Sequence, residues 1–189
     1  SVSRGLGDVY KRQVINPANE EVIGHASKAT PQDVDKALKS AEKGLEIWKK
    51  TPPWQRSYII RRIADKIREK QDVLAKWMTL EVGKPFVEAK GEVNGAADIF
   101  EWNAEETKRI YGQTVESRFE DTRVHVYYQP VGVVAALSPW NFPVVLSARK
   151  ISTALAAGCS VIIKPDVITP GVVMEMVDIC RESGVPAGV

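Results

Sequence analysis

The sequence has little cysteine and no long apolar run. Only two cysteines, Cys159 and Cys180, occur among 189 residues, which is too few for a disulfide framework. No apolar run approaches the roughly 20 residues that a membrane-spanning helix needs, and no signal segment with an apolar centre stands near the start. These absences predict a protein that is not embedded in a membrane and that works in a reducing, cytoplasmic compartment.

The sequence also lacks an excess of either charge. Twenty-six basic and 24 acidic residues leave a net charge of +2, and the two kinds are interspersed. Because nucleic-acid-binding proteins carry a basic patch, we expect no nucleic-acid partner. His25 and His125 have no metal-ligand partner at a useful spacing, so no metal site is predicted. The HExxH, GxSxG and P-loop motifs are absent as well.

The sequence does contain a strand–helix–strand unit between residues 131 and 165. Val131–Leu137 is a short, β-branched run, which is typical of a strand buried on both faces. Pro143 then opens a segment with helical spacing that Gly158 ends. A second buried run, Ser160–Ile163, follows. This βαβ unit predicts an α/β fold in which the two strands are parallel and the crossover is right-handed.

Polar residues follow both strands of this unit. The first strand leads into Ser138, Pro139, Trp140 and Asn141, and the second ends at Lys164. Ligands of parallel sheets bind beyond the carboxyl ends of the strands. The carboxamide of Asn141 and the amine of Lys164 are therefore predicted to share one site. The alternative is that Asn141 only caps the helix and that Lys164 is only a solvent-exposed charge at the end of a strand.

Several segments resemble the aldehyde dehydrogenase family. They are PWNFP (139–143), RK (149–150), ALAAGC (154–159), IIKP (162–165) and SGVPAGV (183–189). The similarity extends upstream through EVGKP (81–85) and FEWNAEETKRIYG (100–112) to about Val14, so it covers nearly the whole chain. The FEWNAEETKRIYG segment looks most like the semialdehyde-oxidising branch, which includes succinate-semialdehyde dehydrogenases.

The resemblance implies an NAD(P)-dependent enzyme that oxidises an aldehyde to the carboxylic acid through a cysteine thioester. The expected substrate is a small semialdehyde such as succinate semialdehyde. Asn141 is the implied side-chain donor to the developing oxyanion. In the family the nucleophilic cysteine and the glutamate base lie downstream of the matched region. Since Cys159 and Cys180 are expected to be structural, the 189-residue chain is predicted to be inactive by itself.

The resemblance also implies how the cofactor is bound. The family binds its dinucleotide without the glycine-rich fingerprint, which this chain also lacks. Ser138–Asn141 are implied to lie near the cofactor and Lys164 on the adenosine ribose, with Pro165, Asp166 and Val167 in the same loop. Many NAD-using members have a glutamate at the position of Val167. Without it nothing repels a 2′-phosphate, so we expect NADP, or both NADP and NAD, although the charge of Asp166 argues against this preference.

The expected fold is the amino-terminal part of a Rossmann-type parallel-sheet domain with flanking helices. Residues 1–13 are expected to be a disordered or non-native tail, and residues 14–189 a partial NAD(P)-binding domain. Residues 113–130 contain an alternating strand, Thr122–Gln129, and the resemblance implies that this strand pairs between subunits of a homo-oligomer. An ordinary edge strand is the alternative.

Helical spacing and capping signals predict five further helices. Three of them span Trp54–Lys70, Gln71–Val82 and Phe86–Tyr111. The other two begin after Thr30 and at Pro170. The aromatic residues Trp54, Trp77, Phe100 and Trp102 are expected in the core. Two other functions stay open: a relative that reduces acyl phosphates or forms acyl-CoA, and a non-catalytic assembly module on the same scaffold.

Overall fold

Six α-helices and three two-stranded sheets make up residues 11–189, the part of the chain that this computed structural model describes. The helices are α1 (Pro31–Trp48), α2 (Pro53–Glu69), α3 (Gln71–Val82), α4 (Phe86–Glu106), α5 (Pro143–Ala157) and α6 (Pro170–Glu182). The strands are β1 (Lys11–Ile15), β2 (Val22–Ser27), β3 (Gln113–Glu116), β4 (Arg123–Val126), β5 (Val133–Leu137) and β6 (Ser160–Lys164). The mixture of helices with a parallel strand pair confirms the α/β fold class.

The first two strands form an antiparallel hairpin that begins earlier than expected. Lys11 pairs with Ser27, and Gln13 with His25. Disorder is therefore wrong for residues 11–13, because β2 extends far enough to pair with them, and a non-native origin of the segment stays a prediction. Residues 1–10 lie outside the described residues.

Helix boundaries follow the capping residues. The Oγ1 atom of Thr30 accepts the N–H of Asp33 at 3.2 Å, and the Asp33 carboxylate accepts the N–H of Thr30 at 3.0 Å, which completes a capping box at the start of α1. Gly158 ends α5 with a φ of 87°, a left-handed conformation that favours glycine. Only α4 departs clearly from its predicted end at Tyr111, because the chain tightens into a 3-10 turn after Glu106.

The hydrophobic core lies among α2 to α6, and α1 joins it through Trp48. The indole N–H of Trp48 donates to the carbonyl oxygen of Leu155 at 2.9 Å, which fastens the end of α1 to α5. The largest buried side chains of this core are Trp48, Ile60, Ile63, Ile67, Leu74, Met78, Phe100, Leu155, Met176 and Ile179.

The prediction that four aromatic residues lie in the core is only partly right. Phe100 is fully buried and Trp77 packs against the core. Trp54 and Trp102, however, are 75% and 69% exposed. The Lys108 ammonium lies 5.2 Å from the centroid of the Trp54 ring, so this ring meets a cation at the surface instead of apolar side chains.

The parallel pair β5–β6 and the hairpin β3–β4 are more exposed to solvent than their sequences predict. β5 and β6 are parallel, as predicted. Yet Ala136 is buried while Ala135 and Leu137 are exposed, because no element of the described chain covers that second face. β3 and β4 form an antiparallel hairpin in which every strand residue is exposed.

No helix within residues 11–189 is long and apolar enough to span a bilayer.

Candidate functional site at the carboxyl edge of the parallel strands

The carboxyl ends of β5 and β6 lie side by side. Leu137 is the register partner of Lys164, and the N–H of Ser138 donates to the carbonyl oxygen of Lys164 at 3.2 Å. The segment that leads to α5, residues 138–142, thus starts directly beside the segment that follows β6. The predicted meeting of the two strand ends is confirmed, and the binding roles of their residues stay predictions.

Most of the predicted site residues are accessible to a ligand. Pro165 and Asp166 are half-buried, and Ser138 is buried with an Oγ atom that has no hydrogen-bond partner among the described residues. The exposed members are Pro139, Trp140, Asn141, Lys164 and Val167. The edge therefore offers exposed polar side chains and one buried, unpartnered hydroxyl.

The alternative that Asn141 merely caps α5 is wrong. Phe142 occupies the N-cap position, and no side chain at that position caps the helix. Within the described residues, the carboxamide of Asn141 makes no hydrogen bond. Its N–H groups are free to donate to a ligand. Asp166 is engaged in its own turn, where its Oδ1 atom accepts the N–H of Ile168 at 3.0 Å.

A buried carboxylate on α4 caps α5 instead. One oxygen of Glu92 accepts the N–H of Val144 at 2.9 Å and the N–H of Val145 at 3.2 Å. Pro143 opens the helix and has no N–H, so Glu92 satisfies the first two amide donors of α5. Sequence reasoning missed this contact because the two partners are more than 50 residues apart.

Lys84 completes this arrangement from the EVGKP segment. Its ammonium forms an ion pair with the second oxygen of Glu92 and donates to the carbonyl oxygen of Asn141 at 3.0 Å. It also lies 4.0 Å from the centroid of the Phe142 ring. The lysine therefore contacts the backbone of the residue that carries the candidate oxyanion donor. The EVGKP motif was the available sequence signal, but its spacing alone does not indicate these partners.

A second buried glutamate caps α6, with one oxygen for each of two amides. The carboxylate of Glu81 accepts the N–H of Gly171 at 2.6 Å and the N–H of Val172 at 3.0 Å. Burial raises the pKa of Glu81 to about 7. The helix N-termini that follow β5 and β6 are thus both occupied by carboxylates of the chain itself. Neither can bind a phosphate in the manner of a glycine-rich dinucleotide loop, which agrees with the absence of that loop from the sequence.

Neither cysteine supplies a nucleophile at this edge. Cys159 is buried at the amino end of β6, and Lys164 marks the opposite end of that strand. Cys180 is buried on α6, where burial raises its pKa to about 12. A thiolate is the reactive form of cysteine. The burial of both side chains agrees with their predicted structural role.

Comparison with known proteins identifies the family. Residues 7–189 match the sequence profile of the aldehyde dehydrogenase family. The chain belongs to this family. It is 45% identical over 177 residues to a glutarate-semialdehyde dehydrogenase of Pseudomonas putida, an alignment that covers 94% of this chain and 37% of that protein. It is 43% identical over 176 residues to the NADP(+)-dependent succinate-semialdehyde dehydrogenase of Escherichia coli, covering 93% of this chain and 36% of that protein.

The fold agrees with solved structures of the family. A crystal structure of aldehyde dehydrogenase from Brucella melitensis biovar abortus 2308 superposes with a TM-score of 0.94 at 40% identity, covering 95% of this chain and 37% of that chain. The chain thus spans little more than a third of the length of these aldehyde dehydrogenases. The semialdehyde-oxidising branch that the FEWNAEETKRIYG segment indicated includes both of the relatives described above.

In this aldehyde dehydrogenase chain a groove of about 540 Å³ runs between α4 and α5, beside the Asn141 segment. Phe142, Val145 and Leu146 supply its apolar lining, and Arg149 and Glu88 are charged residues of the lining. Lys84 also lines the groove but is held by Glu92. Within the described residues, the Arg149 guanidinium has no hydrogen-bond or ion-pair partner.

No three His, Cys, Asp or Glu side chains in residues 11–189 are grouped to hold a metal ion.

Proposed function

We propose that this chain is part of an NAD(P)-dependent aldehyde dehydrogenase that oxidises a small semialdehyde to the carboxylic acid. The observation that carries the proposal is the carboxamide of Asn141, unpartnered within residues 11–189, at the joint carboxyl edge of β5 and β6 and next to an open groove. Membership of the aldehyde dehydrogenase family supports this reaction class.

Asn141 is proposed to stabilise charge on the aldehyde oxygen. When a nucleophile adds to the carbonyl carbon, that oxygen becomes an oxyanion, and a fixed N–H donor then contributes roughly 3–4 kcal/mol to transition-state stabilisation. The exposed, unpartnered carboxamide of Asn141 can act as such a donor without first breaking a hydrogen bond within the described chain. The buried Cys159 and Cys180 are not proposed as the nucleophile, which the whole protein supplies from outside this chain.

The same edge fits a nicotinamide dinucleotide. The amine of Lys164 is exposed, and the buried Oγ atom of Ser138 has no partner among the described residues. When bound, the cofactor supplies the acceptor for the hydride of the aldehyde. Val167 presents no carboxylate to a 2′-phosphate, and one oxygen of Asp166 accepts an N–H in its own turn, which does not cancel its charge. We therefore propose NADP as the preferred cofactor and NAD as an accepted one, in line with the NADP(+)-dependent relative.

Arg149 is proposed to select substrates with a distal carboxylate. It lines the groove beside the Asn141 segment, and its guanidinium is unpaired within the described residues. A guanidinium binds a carboxylate through two parallel hydrogen bonds. Succinate and glutarate semialdehydes, the substrates in the names of the two relatives, carry this carboxylate at the end opposite to the aldehyde.

The hairpin of β3 and β4 is proposed to pair between subunits of a homo-oligomer. Both strands are exposed on both faces, and an exposed strand edge is a template for pairing with another chain. Replacing Val124 with proline in the full-length protein would remove one strand N–H. We expect dissociation in sedimentation velocity, and an unchanged oligomer would contradict this assignment.

The replacement Asn141→Ala in the full-length enzyme tests the main proposal. We expect kcat to fall by about 10²–10³-fold, with the cofactor Kd changed by less than about threefold. Asn94→Ala is the matched control, because Asn94 is an exposed asparagine on α4 whose side chain hydrogen-bonds, among the residues that the structure describes, only to Gln71. An unaltered kcat in Asn141→Ala would remove Asn141 from its proposed role.

A further inference from the structure

The ion pair of Lys84 and Glu92 holds the Asn141 segment at two points. Lys84 binds the carbonyl oxygen of Asn141, while Glu92 binds the N–H groups of Val144 and Val145. Only Phe142 and Pro143 lie between these attachment points. The backbone on both sides of this dipeptide is therefore fixed by one pair of side chains that belong to a different part of the chain.

Burial makes this attachment stiff. The side chains of Lys84 and Glu92 are only 12% and 2% exposed, and a charge in such a place is costly unless it is paired and hydrogen-bonded. Both groups satisfy this requirement only in the observed arrangement. Rotation of either side chain away from the segment would leave its partner charged and buried.

The orientation of a donor matters for catalysis because it must point at the position that the oxyanion will occupy. A displacement of about 1 Å at a reacting centre can cost up to about a hundredfold in rate. The carboxamide of Asn141 has no side-chain partner of its own within the described residues. Its backbone therefore sets where the Cα–Cβ bond of Asn141 lies and points, and Lys84 holds that backbone at the carbonyl oxygen.

We propose that Lys84 and Glu92 are positioning residues that orient Asn141 towards the aldehyde oxygen. This inference rests on the proposed function of Asn141 and adds to it two residues whose charged groups bind each other and the backbone of residues 141–145. Lys84 and Glu92 act through the backbone of residues 141–145. The cofactor loop after β6 is not held by either residue.

The first test compares two glutamates in the full-length enzyme. Glu92→Gln keeps an oxygen for the amides of α5 but removes the charge that binds Lys84, so we expect kcat to fall between about tenfold and a hundredfold. Glu81→Gln is the control, since Glu81 is also buried and caps the corresponding two amides of α6, one with each oxygen, so its replacement disturbs a helix cap at least as much. We expect its kcat at saturating cofactor to stay within about twofold. Equal losses in the two variants would overturn the proposal.

A double-mutant cycle separates positioning from general weakening. Lys84→Met removes the ammonium and keeps the aliphatic stem, and it is measured in the wild type and in Asn141→Ala. If Lys84 acts through Asn141, its replacement lowers kcat in the wild type and has almost no effect once the carboxamide is gone. A double variant whose loss in kcat equals the product of the two single losses would contradict the proposal. Should Lys84→Met not fold, Glu92→Gln takes its place in the same cycle.

The outcomes also distinguish this inference from the proposed function. An unaltered kcat in Asn141→Ala would refute the role of Asn141 and the positioning role with it. A large loss in Asn141→Ala together with normal kcat in Glu92→Gln and Lys84→Met would refute only the positioning role. A rise in cofactor Kd without a fall in kcat would also count against it, because the proposal places the effect on the chemical step.

Discussion

Glu81 and Glu92 cap the corresponding two amides of two different helices, and among the described residues only Glu92 has a cationic partner. Each carboxylate accepts two backbone N–H groups from the first turn of the helix that follows one parallel strand. Lys84 neutralises Glu92. Glu81 has no ion pair among the described residues, and burial raises its pKa to about 7. The cap that Glu81 forms on α6 should therefore depend on pH.

The first prediction concerns the pH dependence of stability. The pKa of Glu81 is about 7 in the folded protein and near the ordinary value of 4.5 in the unfolded chain. The folded state then binds the proton more tightly, so the stability from Glu81 is fully present below about pH 4.5 and is lost as pH rises to about 7. The loss is on the order of 3 kcal/mol.

Glu81→Gln isolates this effect, because glutamine does not titrate. We expect the full-length variant to melt close to the wild type at pH 5 and at a higher temperature than the wild type at pH 8. Calorimetric melting temperatures at several pH values would show the difference growing as pH rises. Parallel curves for the two proteins would mean that Glu81 ionises normally in the folded state.

Much of the fold could be predicted because its signals are local in sequence. The capping box of Thr30 and Asp33 and the left-handed Gly158 each act within a few residues, so their pattern determines a helix end wherever the surroundings allow it. The parallel pairing of β5 and β6 was also predictable, since a strand, a helix and a strand of this length have essentially one way to pack.

The rest of the site depends on contacts between distant residues. The sequence indicated Asn141 and Lys164 because both follow apolar strands. It did not indicate Glu92, whose amide partners lie more than 50 residues away. The prediction that Trp54 is buried was wrong for a related reason. Its helical spacing is correct, but only the packing of neighbouring helices decides which part of an apolar stripe is covered.

The second prediction concerns cofactor choice. Val167 is exposed in the loop after β6 and carries no charge. Val167→Glu in the full-length enzyme should shift the ratio of the NADP and NAD dissociation constants at least tenfold towards NAD, because a carboxylate repels the 2′-phosphate. Val167→Gln, with a neutral side chain of the same length, should leave the ratio within about threefold. Fluorescence titration with both reduced cofactors measures it, and equal shifts in the two variants would contradict the electrostatic reason.

The third prediction concerns the groove between α4 and α5. Arg149 is an unpaired cation in this groove within the described residues, whereas Lys84 is neutralised by Glu92. Arg149→Gln in the full-length enzyme should raise KM for succinate or glutarate semialdehyde at least tenfold, because charge-assisted pairing with the distal carboxylate is lost. The KM for an uncharged aldehyde of similar length should change by less than about twofold.

The matched control for this prediction is Arg181→Gln. Arg181 is an exposed arginine on α6 that lines a different groove and pairs with Asp178. Its replacement should leave KM for both kinds of aldehyde unchanged, because the charge is far along the chain from the Asn141 segment and already has a partner. Steady-state kinetics with the two substrates give the comparison. If Arg149→Gln raised KM for the charged and the uncharged aldehyde alike, Arg149 would shape the groove without recognising a carboxylate.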